Sequence, residues 1–222
     1  MRSWRPTIEI MCNLYSNTMA KEAMRQLFAV DAARDALGNA EPLTAIFPKA
    51  MSPIVGTNAD GTRWLQPAHW GFVLSQKSRK TGEPIQPKAV NNARDDKLRT
   101  SFWRKSLEGR RCLIPATSFC ETKGRNPANH VWFGVTGKGT RPPFALAGIW
   151  RTYTGNYGGG ALREMITSSM VTSTPNALVK QTHPNRMPVI LDPDDYAQWL
   201  TGTPEEAFAL LKPFPAERMV IH

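Results

Sequence analysis

Residues 111–122, RCLIPATSFCET, hold two short strand-like runs, 111–115 and 118–122, separated by only two residues. Each is too short for a stable helix and carries Leu, Ile, Phe and Cys as buried strands do. Working outward, three more strand-like runs follow at 130–136, 144–152 and 163–172. The cluster NYGGG at 156–160 joins the last two as a hairpin-like loop. Upstream, residues 43–56 mix β-branched residues with prolines as an irregular strand does, Asn58-Ala59-Asp60-Gly61 supplies turn chemistry, and Arg63-Trp64-Leu65-Gln66 reads as the returning strand. Final strands are expected at 187–191 and 218–221.

Helices punctuate this pattern. Asn17 or Thr18 can cap one running to about Val30, and another is expected around 98–108, with a short one near 175–180. Asp192-Pro193 and Thr203-Pro204 are cap residues followed by proline at the first helical position, opening helices near 193–200 and 204–212. Residues 75–88, SQKSRKTGEPIQPK, are polar and rich in turn formers and are expected to form a mobile surface loop. Many short strands with interspersed helices give an α+β domain, its strands mostly antiparallel in a barrel-like sheet flanked by helices, and not an alternating parallel sheet.

The length of 222 residues suits one domain. It is expected to occupy residues 11–222, with 1–10 (MRSWRPTIEI) an unstructured or removed extension that makes a poor secretory signal. A hydrophobic fraction of 41% with 21% charged residues is ordinary for a soluble protein, but a net charge of +10 favours a polyanionic partner, nucleic acid ahead of membrane. No apolar run approaches the roughly 20 residues that span a bilayer. Three cysteines, Cys12, Cys112 and Cys120, are too few for a disulfide scaffold and fit a reducing cytosol, with nucleoid association if the source is bacterial. Cys112 and Cys120 lack the close pairing of a zinc site, and no histidine pair completes one.

The chemistry centres on Met11-Cys12. If Cys12 becomes N-terminal, it carries a free α-amine and a thiol on adjacent carbons. Their reference pKa values, about 7.7–8.0 and about 8.5, leave both partly reactive near neutrality. Such a 1,2-aminothiol condenses with an aldehyde to an imine and closes a thiazolidine ring. An internal cysteine cannot, because its nitrogen is an amide. The bland alternative is a small buried cysteine on an edge strand.

Five segments, taken in order, carry a resemblance. They are Met11-Cys12; Phe47-Pro48; Trp70-Gly71; Asn92-Ala93-Arg94; and Arg111 to Ala116 running on to Phe119-Cys120-Glu121, followed by His183 with Arg186-Met187-Pro188. The chain in these respects resembles the SOS-response-associated peptidase (SRAP) domain family, which cross-links to abasic sites in single-stranded DNA. The resemblance implies a thiazolidine DNA–protein cross-link through Cys12, removal of the residues before it, and an abasic-site lyase side reaction. It implies no metal or organic cofactor, and a protein acting as a monomer. Glu121 is then the general acid-base opposite Cys12, best served by a carboxyl pKa raised through burial. Asn92, chosen over Asn91 by the Asn-Ala-Arg match, orients the amine or the sugar oxygen. His183 assists opening of the sugar ring. Arg94 and Arg186 clamp phosphates, and Phe47, Pro48 and Trp70 line the DNA, the aromatics supporting unstacked bases.

Each role has a plain structural rival: a surface carboxylate for Glu121, an Asx turn for Asn92, a satisfied loop histidine for His183, solvated charges for the arginines and a core position for Trp70. Three positions depart from the family pattern. Leu14 stands where an arginine is common, Thr122 follows Glu121 where tryptophan is usual, and the step from His183 to Arg186 is one residue longer. Two other functions compete: a cysteine peptidase acting on external proteins through Cys12, His183 and Asn92, and a non-catalytic nucleic-acid-binding module.

Overall fold

Five strands close on themselves in the computed structural model, which describes residues 12–124, 127–157 and 161–222. The first strands along the chain are β1 (Leu14–Asn17), β2 (Leu43–Ile46), β3 (Met51–Thr57), β4 (Arg63–Trp70), β5 (Phe72–Lys77) and β6 (Pro84–Val90). Then come β7 (Asn92–Arg94), β8 (Arg111–Ala116), β9 (Ser118–Lys123), β10 (Asn129–Val135), β11 (Phe144–Asn156) and β12 (Leu162–Ser173). Short strands β13 (Met187–Pro188), β14 (Ile190–Leu191) and β15 (Met219–Ile221) complete the set. The barrel runs β12–β4–β3–β8–β11, and β11 returns to β12. Only the pairings of β12 with β4 and with β7 are parallel. A second sheet, in the order β15–β10–β9–β1–β2, packs beside the barrel.

The expected α+β architecture is therefore present, and period-two alternation explains how its layers hold together. Val55, Leu65, Leu113 and Val171 pack with Phe28, Leu98 and Trp199 from the helical segments. Their neighbours Ile54, Ile114 and Met170 pack instead with Tyr15, Phe119 and Phe133 of the second sheet. One alternation thus binds the barrel to its helices and the other binds it to the sheet that carries Cys12 and Glu121. Trp199 is tied in further by its indole N–H, which donates to the Cys112 carbonyl at 2.9 Å.

Four helices flank the strands: α1 (Lys21–Leu27), α2 (Arg104–Gly109), α3 (Tyr196–Thr201) and α4 (Pro204–Ala209). The start of α4 follows the sequence expectation, with a reciprocal capping box between Thr203 and Glu206 and proline in the first turn. The start of α1 does not. Asn17 belongs to β1 and turns its amide to the Met24 sulfur at 3.2 Å, so the helix begins at an Ala20 cap that offers no side-chain hydrogen bond. Asp192 likewise gives no cap bond; its carboxylate pairs with Arg218. The segment expected as a helix near 175–180 is a 3-10 turn, Val179–Gln181.

Residues 75–88 also differ from expectation. They contribute most of a two-stranded ribbon in which β5 pairs β6 from Phe72↔Val90 to Lys77↔Pro84, leaving only the tip as loop. Both strands are edges, so Pro84 and Pro87 leave no central ladder broken. The cluster at 156–160 lies partly outside the described residues, as does the leading extension. Among the described residues, no helix is long and apolar enough to cross a membrane.

Candidate active site

Antiparallel register brings Cys12 to Glu121. β1 pairs β9 at Leu14↔Cys120 and Tyr15↔Phe119, so the chain just before Leu14 runs alongside Glu121 and Thr122. Cys12 is 2% exposed, and its thiol lies 3.7 Å from both the Leu14 and Cys120 carbonyl oxygens. From the other side, Asn92 donates its amide N–H to the Cys12 carbonyl at 2.8 Å and Asn91 donates to the same oxygen at 3.3 Å. Asn91 also reaches the Asn13 side-chain oxygen at 3.0 Å. Two asparagines therefore clamp one carbonyl, where a single one was expected. The Asn91 role was within reach of the sequence only as the other half of an Asn-Asn pair.

The clamp is set by the barrel. β7 lies parallel to β12 at Met170↔Asn92, and the Asn91 carbonyl accepts from the Met170 N–H at 2.9 Å and from the Trp70 indole at 3.0 Å. Trp70 has no exposed surface and meets Tyr15 edge-on at 4.8 Å between ring centroids. The expected contact between Trp70 and a DNA base is thus corrected: this indole is a core prop that fixes Asn91. The next residue must be glycine. Gly71 has φ +130°, and a Cβ there would approach the Ala89 side chain to 2.6 Å.

Glu121 is 2% exposed, and its Oε1 is buried without a hydrogen-bond partner. Burial pushes its carboxyl up to about 8, against a smaller downward pull from the Cys12 thiol hydrogen bond. The two groups act on each other. Burial first, and then the negative charge of Glu121, hold the Cys12 thiol well above the usual thiol range. Near neutrality the pair is consequently a protonated carboxyl facing a neutral thiol, a proton donor beside a latent nucleophile.

His183 follows the Val179–Gln181 turn and is 7% exposed, its Nδ1 lying 3.1 Å from the Arg186 amide nitrogen and 2.9 Å from the Arg186 carbonyl oxygen. The longer His183–Arg186 step is closed by the ring itself. Arg186 is buried: it pairs with Asp95 at 2.7 Å and donates to the Thr172 hydroxyl and carbonyl. Arg94, at the end of β7, forks onto Asp96 with bonds of 2.9 and 3.0 Å. Both candidate phosphate clamps thus carry carboxylate partners in consecutive positions, a pairing that sequence order did not reveal. Phe47 and Pro48 line a cavity of about 320 Å³ with Asn13, Leu14, Glu121 and His130, and the Phe47 ring is 57% exposed.

A buried aminothiol residue held opposite a raised carboxyl, on a barrel with an attached sheet, defines a thiol-dependent site on a mixed α+β domain. The chain belongs to the family described as SOS response associated peptidase (SRAP), which matches residues 11–222. Among its relatives, the abasic site processing protein YoqW of Bacillus subtilis (strain 168) is 32% identical over 143 residues, covering 62% of this chain and 60% of YoqW. YobE of the same organism, also described as an abasic site processing protein, is 32% identical over 62% of this chain and 61% of its own length. The match spans only about 60% of the length of these curated relatives. In fold, a Bacteroides thetaiotaomicron protein superposes with a TM-score of 0.73 at 21% identity over 95% of this chain and 91% of its own. A Bordetella bronchiseptica protein superposes with a TM-score of 0.70 at 23% identity, covering 95% and 98%.

Proposed function

We propose that this protein captures abasic sites in single-stranded DNA as a thiazolidine cross-link to Cys12, once Cys12 is N-terminal, and so shields the lesion. The observation that carries this reading is the pairing of Cys12 with a buried Glu121 whose carboxyl is still protonated near neutrality. Family membership and the naming of relatives as abasic site processing proteins support the same substrate.

The reaction uses each group in turn. The open-chain aldehyde of the abasic sugar accepts the Cys12 amine and gives a carbinolamine. Protonated Glu121 donates to the carbinolamine hydroxyl, which leaves as water, and the imine forms. The thiol then adds to the imine carbon, and its proton is returned through the Glu121 carboxylate. The ring closes with aldehyde and aminothiol joined and one water lost. The amides of Asn92 and Asn91 hold the Cys12 carbonyl, so amine and thiol keep a fixed relation to Glu121 throughout. His183 serves the opening of the sugar ring that exposes the aldehyde. Arg94 exchanges its Asp96 partner for a phosphate, whereas Arg186 braces the site from within through Asp95. Beta-elimination from the imine before ring closure accounts for a lyase side reaction.

Release of the residues before Cys12 fits the same groups. The thiol attacks the Met11 carbonyl, the amide nitrogen leaves protonated, and water hydrolyses the resulting thioester, which frees both nucleophiles. A start of translation at Met11 followed by methionine removal reaches the same terminus. The test is an adduct with abasic single-stranded DNA that survives boiling in detergent. Glu121→Gln should slow its formation at least tenfold while leaving affinity for undamaged single strands unchanged. Equal losses of binding and chemistry would make Glu121 a structural residue only.

A further inference from the structure

The site has a second face that the chemistry above does not use. On β9 and β10, directly opposed residues share one side of the sheet. Thr122↔His130, Cys120↔Trp132 and, across to β1, Leu14↔Cys120 therefore point together, away from the face that buries Phe119 and Phe133. On this outward side lies the cavity of about 320 Å³, with Glu121 at its edge and Phe47 at its rim. The size falls at the small end of sites for compact organic ligands.

The lining indicates what fits. No lysine or arginine lines the cavity, and a carboxyl stands at its edge, a poor setting for a phosphate. The groups present are an aromatic ring, Pro48, Leu14 and the neutral hydrogen-bonding side chains of Asn13, Thr122 and His130. His130 Nδ1 lies 3.3 Å from the Thr122 hydroxyl and 3.7 Å from the Cys120 sulfur, which fixes the ring. Among the described residues no hydrogen bond engages its Nε2. Phe47 is likewise fixed from behind. Lys49 adopts φ 77°, unusual for a residue with a side chain, and the turn is held by Lys49 N–H to Trp70 O at 2.8 Å, Trp70 N–H to Ala50 O at 2.9 Å and Ala50 N–H to Phe47 O at 3.0 Å. The turn thus presents an exposed ring with little freedom to withdraw.

We infer that this cavity binds the nucleobase of the nucleotide adjoining the lesion, stacked on Phe47 and read along its edge by His130 Nε2. The inference rests on the proposed abasic-site chemistry but concerns a different set of residues. A flat, uncharged heterocycle with donor and acceptor edges matches one aromatic face and neutral polar partners. Holding the neighbouring base here turns the adjacent abasic sugar toward Cys12 and Glu121, across the thickness of one strand.

The experiment uses a tetrahydrofuran abasic analogue, which has no aldehyde and cannot cross-link. Fluorescence anisotropy would measure binding of single strands in which the base on one side of the analogue, or on the other, is also removed. For the wild type, removing the base on one of the two sides should weaken binding about 5-fold to 100-fold, the range of one base–aromatic stack. Phe47→Ala should bind weakly and lose that dependence, and His130→Ala should reduce the dependence several-fold. Both side chains are exposed, so neither change threatens folding. Equal wild-type affinity whichever flanking base is missing, or either variant keeping the full dependence, overturns the inference. Cross-linking of wild type to a true abasic site is scored separately: its absence defeats the proposed function, whereas its presence with no flanking-base dependence defeats only the cavity assignment.

Discussion

Replacing Glu121 by glutamine should make the protein more stable as pH rises, and the size of the gain follows from where the carboxyl sits. In the folded state it is 2% exposed and stays protonated up to about pH 8, because burial penalises its charge. In the unfolded chain the same group ionises near the ordinary glutamate value, about 4.3. Between these two values the unfolded state binds fewer protons than the folded one, so folding stability falls as pH increases, by about 1.36 kcal/mol for each pH unit. Over the whole window the penalty reaches a few kcal/mol, at most about 5, a large part of the total stability of an ordinary domain. Glutamine cannot ionise and escapes it. Urea midpoints of wild type and Glu121→Gln, measured from pH 5 to pH 8, should therefore diverge steadily, the variant gaining with each unit and the gap levelling above pH 8. A difference that stays flat across this range would mean that the carboxyl ionises normally in the folded protein. The acid proposed for carbinolamine dehydration would then not exist at neutral pH.

Other perturbations separate clamp, brace and groove. Asn92→Ala removes the 2.8 Å bond to the Cys12 carbonyl and should cost about 1 kcal/mol of stability by urea denaturation, with a larger loss in cross-linking rate; Asn91→Ala, whose bond is 3.3 Å, should cost the rate less. Asp95→Ala leaves Arg186 buried without its carboxylate and should destabilise the fold by roughly 3 kcal/mol, with Asp95→Ala/Arg186→Met recovering much of that in thermal melts. If phosphates bind the basic surface, log affinity for single strands should fall linearly with log salt, by about 0.7 per phosphate neutralised, and Arg94→Ala should lower that slope by about one such step.

The strands around 111–122 were legible because short alternating runs bounded by turn residues have few other uses, and five of them in a row already imply a sheet closing on itself. Cys12, Asn92 and Glu121 were legible through motif order, since each sits in a segment whose neighbours also match. The ribbon of β5 and β6 was hidden because its lysines and prolines, typical of loops, are tolerated in strands that are open on their outer edges. Trp70 could not be placed, as tryptophan serves equally as a stacking surface and as core, and only the bond from its indole to Asn91 decides between them. The pairing of Arg94 and Arg186 with Asp96 and Asp95 depends on how β7 meets β12, which no local pattern encodes. His130 reaches the site through its register with Thr122, which a reading confined to motif segments passes over.

The central claim is that Cys12 reacts through its own nitrogen as well as its sulfur, and intact-mass analysis of the DNA adduct tests it most directly. Two preparations would be incubated with an abasic single strand, one verified to begin at Cys12 and one verified to retain residues 1–11. The account predicts a detergent-stable adduct, lighter by one water than the sum of protein and DNA, only for the chain beginning at Cys12. Fragmentation should place the DNA remnant on that residue. A stable adduct forming at the same rate on chains that still carry residues 1–11 would contradict it.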